Sequence, residues 1–341
     1  MAAFVGCKFA VFTSSGSTAN TLLAMYIRDK NMPSRNVVVL PVVTWPTSCS
    51  PWIREGFRPF FLDVSRVDFS MDITKLELYL RDHARSVAVV FITSLLGFTP
   101  NIEEIQRLAR QYEVTVMLDN CESLLSEYDG RNLSSYFTST TSTYFAHHLQ
   151  SVEGGFVFTN DEKLYHYCIM ARHHGMCRGL EQYQNKDVDS RFDFYCLGNN
   201  FRNTDINATI GLLDFKRVKR YEEQRMDVFS AFRALIDPVL YHLPTKRRLC
   251  HDVPHALPIL RNNDWESRRD ELVKACAALN IETRPIVSGN ILKQTAFKQF
   301  ADHPSYFPVA DIIHNGIYLG LGSRPTYDLL AALARNLNAI K

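Results

Sequence analysis

Four short apolar runs constrain the fold most. Val37-Val-Val-Leu40, Phe60-Phe-Leu62, Val87-Ala-Val-Val-Phe91 and Val114-Thr-Val-Met-Leu118 are β-rich and almost unbroken by polar residues. Runs of this kind belong to strands covered on both faces. Helix-like stretches separate them, at Thr18 to Arg28 and at Ile102 to Ala109, where apolar residues recur at helical spacing. This alternation predicts an α/β fold with a mostly parallel sheet. A chain of 341 residues exceeds what one hydrophobic core usually holds. Near Arg217 a long charged helical stretch begins and continues to Ala234. We therefore expect a large domain over 1–220 and a smaller α+β domain over 221–341. In the latter, Ala256 to Leu260 reads as a strand, Glu266 to Leu279 as a helix and Ile281 to Val287 as extended. The closing helix runs from Tyr327 to Ala339.

Composition removes several classes of function. Lys plus Arg is 38 and Asp plus Glu is 36, a difference of +2. This lacks the basic excess of a dedicated nucleic-acid binder. No apolar stretch is long enough to cross a bilayer, and the first eight residues turn polar too soon for a signal peptide. The eight cysteines form no Cys-x-x-Cys pair, as expected of a reduced, cytoplasmic protein.

Four segments carry candidate chemistry. Thr13-Ser-Ser-Gly-Ser-Thr-Ala-Asn20 runs into a helical pattern. Hydroxyls and backbone N–H groups there make either an anion cradle or an ordinary N-cap. Asp119, at the end of an apolar strand, either meets a ligand or caps the next helix. Glu122 follows it three positions on. The stretch from Ser139 to Gly155 holds His147 and His148 ahead of Glu153-Gly-Gly. Histidine exchanges protons near neutral pH. Neighbouring residues of a strand face opposite ways, so the pair makes a poor metal site, and none is expected. A second pair, His173-His174, reads as surface or packing. Leu197 to Asp205 reads as a loop ahead of a helix over Ala208 to Leu213.

Taken together, in order and spacing, these segments resemble the DegT/DnrJ/EryC1/StrS family of sugar-nucleotide aminotransferases, over Phe4 to Lys341. The resemblance implies the pyridoxal-phosphate-dependent fold type I, aspartate aminotransferase-like, in a homodimer with shared active sites. It also implies a further N-terminal element, which the large domain is read here as lacking. By position, Gly16, Ser17 and Ser142 match the family's phosphate contacts. Trp45 matches the aromatic stacked on the pyridine ring, and Asp119 the partner of the ring nitrogen. Glu122 takes the place of a glutamine near the ring hydroxyl. Asn200, with Arg202, matches a loop that reaches the partner subunit's phosphate. Arg284 and Asn290 are candidates for substrate contact; for Arg284 a structural salt bridge is the competing reading.

One departure changes the expected reaction. The family's Schiff-base lysine lies six residues before the glutamate of Glu-Gly-Gly, and here that residue is His147. No lysine occurs from Arg110 to Asp161. The resemblance is then to the subgroup of 3-dehydratases that make 3,6-dideoxy sugars of the O-antigen type. It implies noncovalent pyridoxal phosphate or pyridoxamine phosphate, glutamate as amino donor and a nucleotide-linked 4-keto-6-deoxyhexose as substrate. His147 would be the base, with His148 as the alternative. A related branch uses a 2Fe–2S cluster, but the scattered cysteines predict no iron–sulfur cluster here. Two other readings are a noncatalytic protein on the same scaffold and an ordinary aminotransferase using Lys163. The retained Asp119, Trp45 and Ser142 weigh against the first. The position of Lys163, past the Glu-Gly-Gly turn, weighs against the second.

Overall fold

The four apolar runs form neighbouring strands in a computed structural model that describes residues 1–31, 35–262, 268–301, 306–321 and 325–340. In chain order the strands of the first part are β1 (Phe9–Thr13), β2 (Val37–Pro41), β3 (Arg58–Leu62), β4 (Val87–Thr93) and β5 (Val116–Asp119). The short β6 (Glu127–Tyr128) and β7 (Arg131–Asn132) follow, then β8 (Thr138–Ser142) and β9 (Gly155–Thr159). Seven of them make one sheet in the order β1-β9-β8-β5-β4-β2-β3. β9 runs against both neighbours, and the other six share one direction. This is the mostly parallel α/β sheet of fold type I.

The unbroken apolar runs have a direct packing reason. Val38 and Leu40 enter a core with the helix Gly16–Asn31, through Leu22 and Leu23. Val37 and Val39 point the other way, into a core with Leu76, Leu80, Ile105 and Leu108. These come from the helices Ile73–His83 and Ile102–Gln111. Both faces of the sheet are dry, so neither residue of an alternating pair can be polar.

The long helix Val218–Leu235 carries the chain out of this unit. The expected boundary at 220 falls in its first turn. Beyond it lie β10 (Tyr241–His242), β11 (Cys250–His251), β12 (Ala256–Arg261), β13 (Arg284–Pro285) and β14 (Ile317–Gly320). Four of these form an antiparallel sheet in the order β10-β12-β14-β13. Of the extended segment expected over 281–287, only Arg284–Pro285 pairs as a strand. The helix expected from Glu266 is observed as Arg269–Ala277; Glu266 itself lies outside the described residues.

The two parts of the chain are tied together by a third, three-stranded sheet, β11-β6-β7. β11 pairs with β6 of the first part. One apolar core continues from Val11 and Leu22 to Leu257, Ile313 and Leu333. Gly97 shows how close the approach is. At φ +88°, a Cβ there would lie 1.9 Å from the Val253 carbonyl oxygen and 2.7 Å from the His255 nitrogen. Only glycine accepts both that backbone and that neighbour.

Candidate active site

All six strands of common direction end at one edge of the large sheet, and the loops after five of them build a cavity of about 300 Å³. Ligands of open α/β sheets sit at this edge. After β1 the chain turns at Ser15 into the helix that starts at Gly16. Ser15 Oγ accepts from the Thr18 N–H at 3.1 Å. The segment therefore caps the helix, while Ser15, Gly16 and Ser17 also line the cavity. The cap and the cradle are one structure. β8 ends at Ser142, directly beside this turn. A Cβ at Gly16 would come within 2.9 Å of the Ser142 Cβ. One at Gly155 would meet the Ser15 carbonyl carbon at 2.4 Å. The glycines let three backbone segments pack closely at the cavity, an arrangement that suits a small anion.

Asp119 is the last residue of β5 and is 3% exposed. Asn20 Nδ2 donates to its Oδ2 at 2.9 Å, and Ser48 Oγ donates to the same oxygen at 2.7 Å. The Cys121 N–H donates to Oδ1 at 3.1 Å. Asn20 is itself oriented by Thr140, whose hydroxyl donates to Asn20 Oδ1 at 2.6 Å. A carboxylate so fixed, on the cavity wall, suits a cationic ring nitrogen. Glu122 Oε2 accepts from the Leu96 N–H at 2.8 Å. Burial pushes its carboxyl up to about 7, against that hydrogen bond, and the nearby Asp119 raises it further. Trp45 precedes the helix Pro46–Arg54 and lines the same cavity, with 56% of its surface exposed.

His147 sits in the loop between β8 and β9, which forms turns rather than the strand assumed for the histidine pair. It lines this cavity and a second one of about 580 Å³. Its Nδ1 is buried with no hydrogen-bond partner. Burial lowers its imidazole to about 4, opposed by Asp119 and by a backbone hydrogen bond at Cys121. The ring is therefore neutral at pH 7 and able to accept a proton. His148 points elsewhere. It lines only the larger cavity and is 1% exposed, and its Nδ1 accepts from the Leu125 N–H at 3.4 Å. Among the described residues no group of three or more His, Cys, Asp or Glu could hold a metal ion.

The larger cavity lies between the long helix, through Tyr221 and Gln224, and the small sheet, through Arg284 and Tyr318. Arg284 lines both cavities. Its Nη2 is 3.4 Å from Glu282 Oε1, an exposed and weak pair. Asn290 lines neither cavity. It is buried, its Nδ2 donates to Asp311 Oδ1 at 3.0 Å, and its Oδ1 accepts from the Leu292 N–H at 3.1 Å. Its backbone bridges to Val43. The substrate contact expected of Asn290 is replaced by a structural one, because its polar atoms are already used. Asn200 is exposed, bridged to His173, and outside the cavities of its own chain.

Several cavity residues were given no role by the sequence, Asn20 among them although it closes the first candidate segment. Ser48 and Asn20 act through Asp119, and Tyr318 and His255 line both cavities. His255 stands alone between Pro254 and Ala256, with no neighbouring motif.

The family described as the DegT/DnrJ/EryC1/StrS aminotransferase family matches residues 1–330. This chain belongs to that family. It is 29% identical over 333 residues to GDP-4-keto-6-deoxy-D-mannose 3-dehydratase of Yersinia pseudotuberculosis, covering 94% of this chain and 84% of that one. Among solved structures it resembles the Escherichia coli GDP-4-keto-6-deoxy-D-mannose-3-dehydratase with bound hydrated PLP. The TM-score is 0.88 at 26% identity, covering 98% of this chain and 89% of the other. A variant of GDP-4-keto-6-deoxymannose-3-dehydratase with bound GDP-perosamine matches with the same score and identity, over 98% and 90% of the two chains.

For a member of this family, the residues around the smaller cavity fit a phosphorylated pyridine. A 16-residue helix starts at the cradle, a carboxylate is fixed on the wall, an aromatic plane stands at the mouth, and a buried imidazole nitrogen awaits a partner. Among the described residues no lysine lines either cavity. Lys163 is exposed in the helix Glu162–Ala171.

Proposed function

We propose that the chain is a pyridoxamine-phosphate-dependent 3-dehydratase of a nucleotide-linked 4-keto-6-deoxyhexose, with a GDP-linked sugar favoured by its relatives. The observation that carries this is His147: a neutral, half-buried imidazole stands where the cofactor cavity meets the larger one, and among the described residues no lysine lines either cavity. When bound, the cofactor supplies an amine that condenses with the C-4 ketone and a pyridinium that draws electrons from the adjoining carbon.

The chain's own residues do the rest. Gly16, Ser17 and Ser142 hold the phosphate at the helix N-terminus, and Trp45 covers the ring. Asp119, fixed by three donors, keeps a proton on the ring nitrogen. Glu122 lies beside it for the ring hydroxyl. His147 would take up the proton released at the carbon adjoining the ring and return it to the departing C-3 hydroxyl, which leaves as water. With no lysine lining the cavity among the described residues, these contacts would hold the cofactor noncovalently, with glutamate as its amino donor. Arg284, at the junction of the cavities, is placed for the diphosphate.

The protein is proposed to act as a homodimer. The helix Asp205–Phe215 exposes Ile206, Leu212 and Leu213, and Leu197 beside Asn200 is 91% exposed. An apolar surface of this kind, next to the loop expected to reach the other active site, suits a second copy of the chain. Among the described residues no helix is long and apolar enough to cross a membrane.

The test is a product assay. Protein supplied with pyridoxal phosphate, glutamate and GDP-4-keto-6-deoxymannose should release 2-oxoglutarate, ammonia and a 3-deoxy ketosugar. A 4-amino sugar that keeps its C-3 oxygen would overturn the proposal.

A further inference from the structure

His255 has no place in the chemistry described so far, yet it is among the most constrained side chains at the site. Its ring lies against that of His147, with centroids 5.1 Å apart and planes inclined by 31°. It lines both cavities, and its Nδ1 is buried without a partner. Its backbone is pinned on both polar groups. The N–H donates to the Leu96 carbonyl at 2.9 Å, and buried Arg225 donates to the His255 carbonyl at 2.6 Å. Leu96 in turn donates to Glu122. Gly97 leaves no room between this loop and residues 253–255. The backbone that carries the ring is therefore held from the large sheet and from the long helix together, and the ring itself packs against His147 and His148.

We propose that His255 is a positioning residue for His147, acting as a flat wall that fixes the base's ring between the two cavities and keeps water from it. This rests on the reading of His147 as the base. The charged or titratable groups around His147 are Asp119, Cys121 and Glu122 from the large sheet, Tyr144, His148 and Glu153 on its own loop, Tyr221 and Arg225 on the long helix, His255 itself, and Glu282, Arg284 and Tyr318 from the small sheet. Arg225 is a cation that disfavours a second positive charge, and Asp119 favours it. The wall itself acts by excluding water, the largest cause of the lowered imidazole.

The test separates the plane of the ring from its nitrogens. In the full chain with labelled histidine, the His147 resonance, assigned by its loss in H147N, is titrated in wild type, H255F and H255A. H255A opens the wall, so His147 should titrate about one unit or more higher than in wild type. H255F keeps a flat ring and should titrate as wild type does. At neutral pH, H255A should lose about 10- to 100-fold in kcat with KM for the nucleotide sugar little changed, and H255F should recover most of it. Should H255A not fold, H255N opens the same wall. An unchanged His147 titration in the opened variant overturns the proposal. So does an H255F as impaired as H255A, which would assign the role to the ring nitrogens. A wild-type protein that eliminates nothing would sink the dehydratase reading and leave the titration result standing.

Discussion

At the scale of residues, the site works by opposing displacements of two titratable groups. Burial holds the Glu122 carboxyl up to about 7 and the His147 imidazole down to about 4. Both are thus kept near neutrality inside a cavity that also holds the Asp119 anion. The stability consequences have opposite signs. The raised carboxyl binds its proton more tightly in the folded chain than in the unfolded one. Its contribution is present in full below about pH 4.5 and is lost as pH rises through about 7. The lowered imidazole contributes above its unfolded value and loses that contribution as pH falls towards 4. Replacing Glu122 by Gln removes only the first effect. The melting temperature of E122Q minus that of wild type, without cofactor, should therefore grow between pH 5 and pH 8. An equal difference at both pH values would contradict the burial assigned to Glu122.

At the scale of elements, what the sequence shows depends on whether neighbours demand apolar residues. β2 and β4 are legible because both faces are dry. β8 is not: its residues, Thr138-Ser-Thr-Thr-Ser142, are polar, and their hydroxyls find partners such as Asn20 and Thr159. β6 and β11 are two-residue strands paired across more than a hundred positions, with no local pattern to betray them. The Glu-Gly-Gly stretch was legible only through the family resemblance, and the structure supplies its cause. A Cβ at Gly155 would strike the backbone of the Ser15–Gly16 turn, and one at Gly154 would lie 2.4 Å from Thr143 Oγ1. Gly155→Ala should destabilise the chain by about 1–3 kcal/mol in chemical denaturation and weaken cofactor binding as the cradle opens. Wild-type stability and affinity in that variant would show that the turn can yield.

At the scale of the molecule, the site is shared between two units that were legible separately but not in contact. The alternation of strands and helices predicts the large sheet, and the charged helix predicts where the chain leaves it. Nothing local predicts that Arg284, Tyr318 and His255 return to the ends of the large sheet, because that convergence is set by the shared core and the fixed approach at Gly97. Asn290 illustrates the limit, since its place in the sequence beside Arg284 suggested a shared role, yet it caps a short helix away from the cavity. The proposed dimer is the remaining element of assembly. Sedimentation should give twice the chain mass of 39.1 kDa. Leu213→Asp, placing a charge on the exposed apolar helix, should shift the protein towards monomer and weaken cofactor binding, if Asn200 serves the other subunit. A monomeric wild type, or an L213D dimer as tight as wild type, would contradict that assembly.

The central claim is that His147 does the proton transfer in place of a lysine, and its most direct measurement is the elimination rate of His147→Asn beside its cofactor absorbance. The account predicts a fall of about 10²- to 10⁴-fold in elimination, with cofactor still bound. Elimination at the wild-type rate, with the cofactor bound as before, would contradict it.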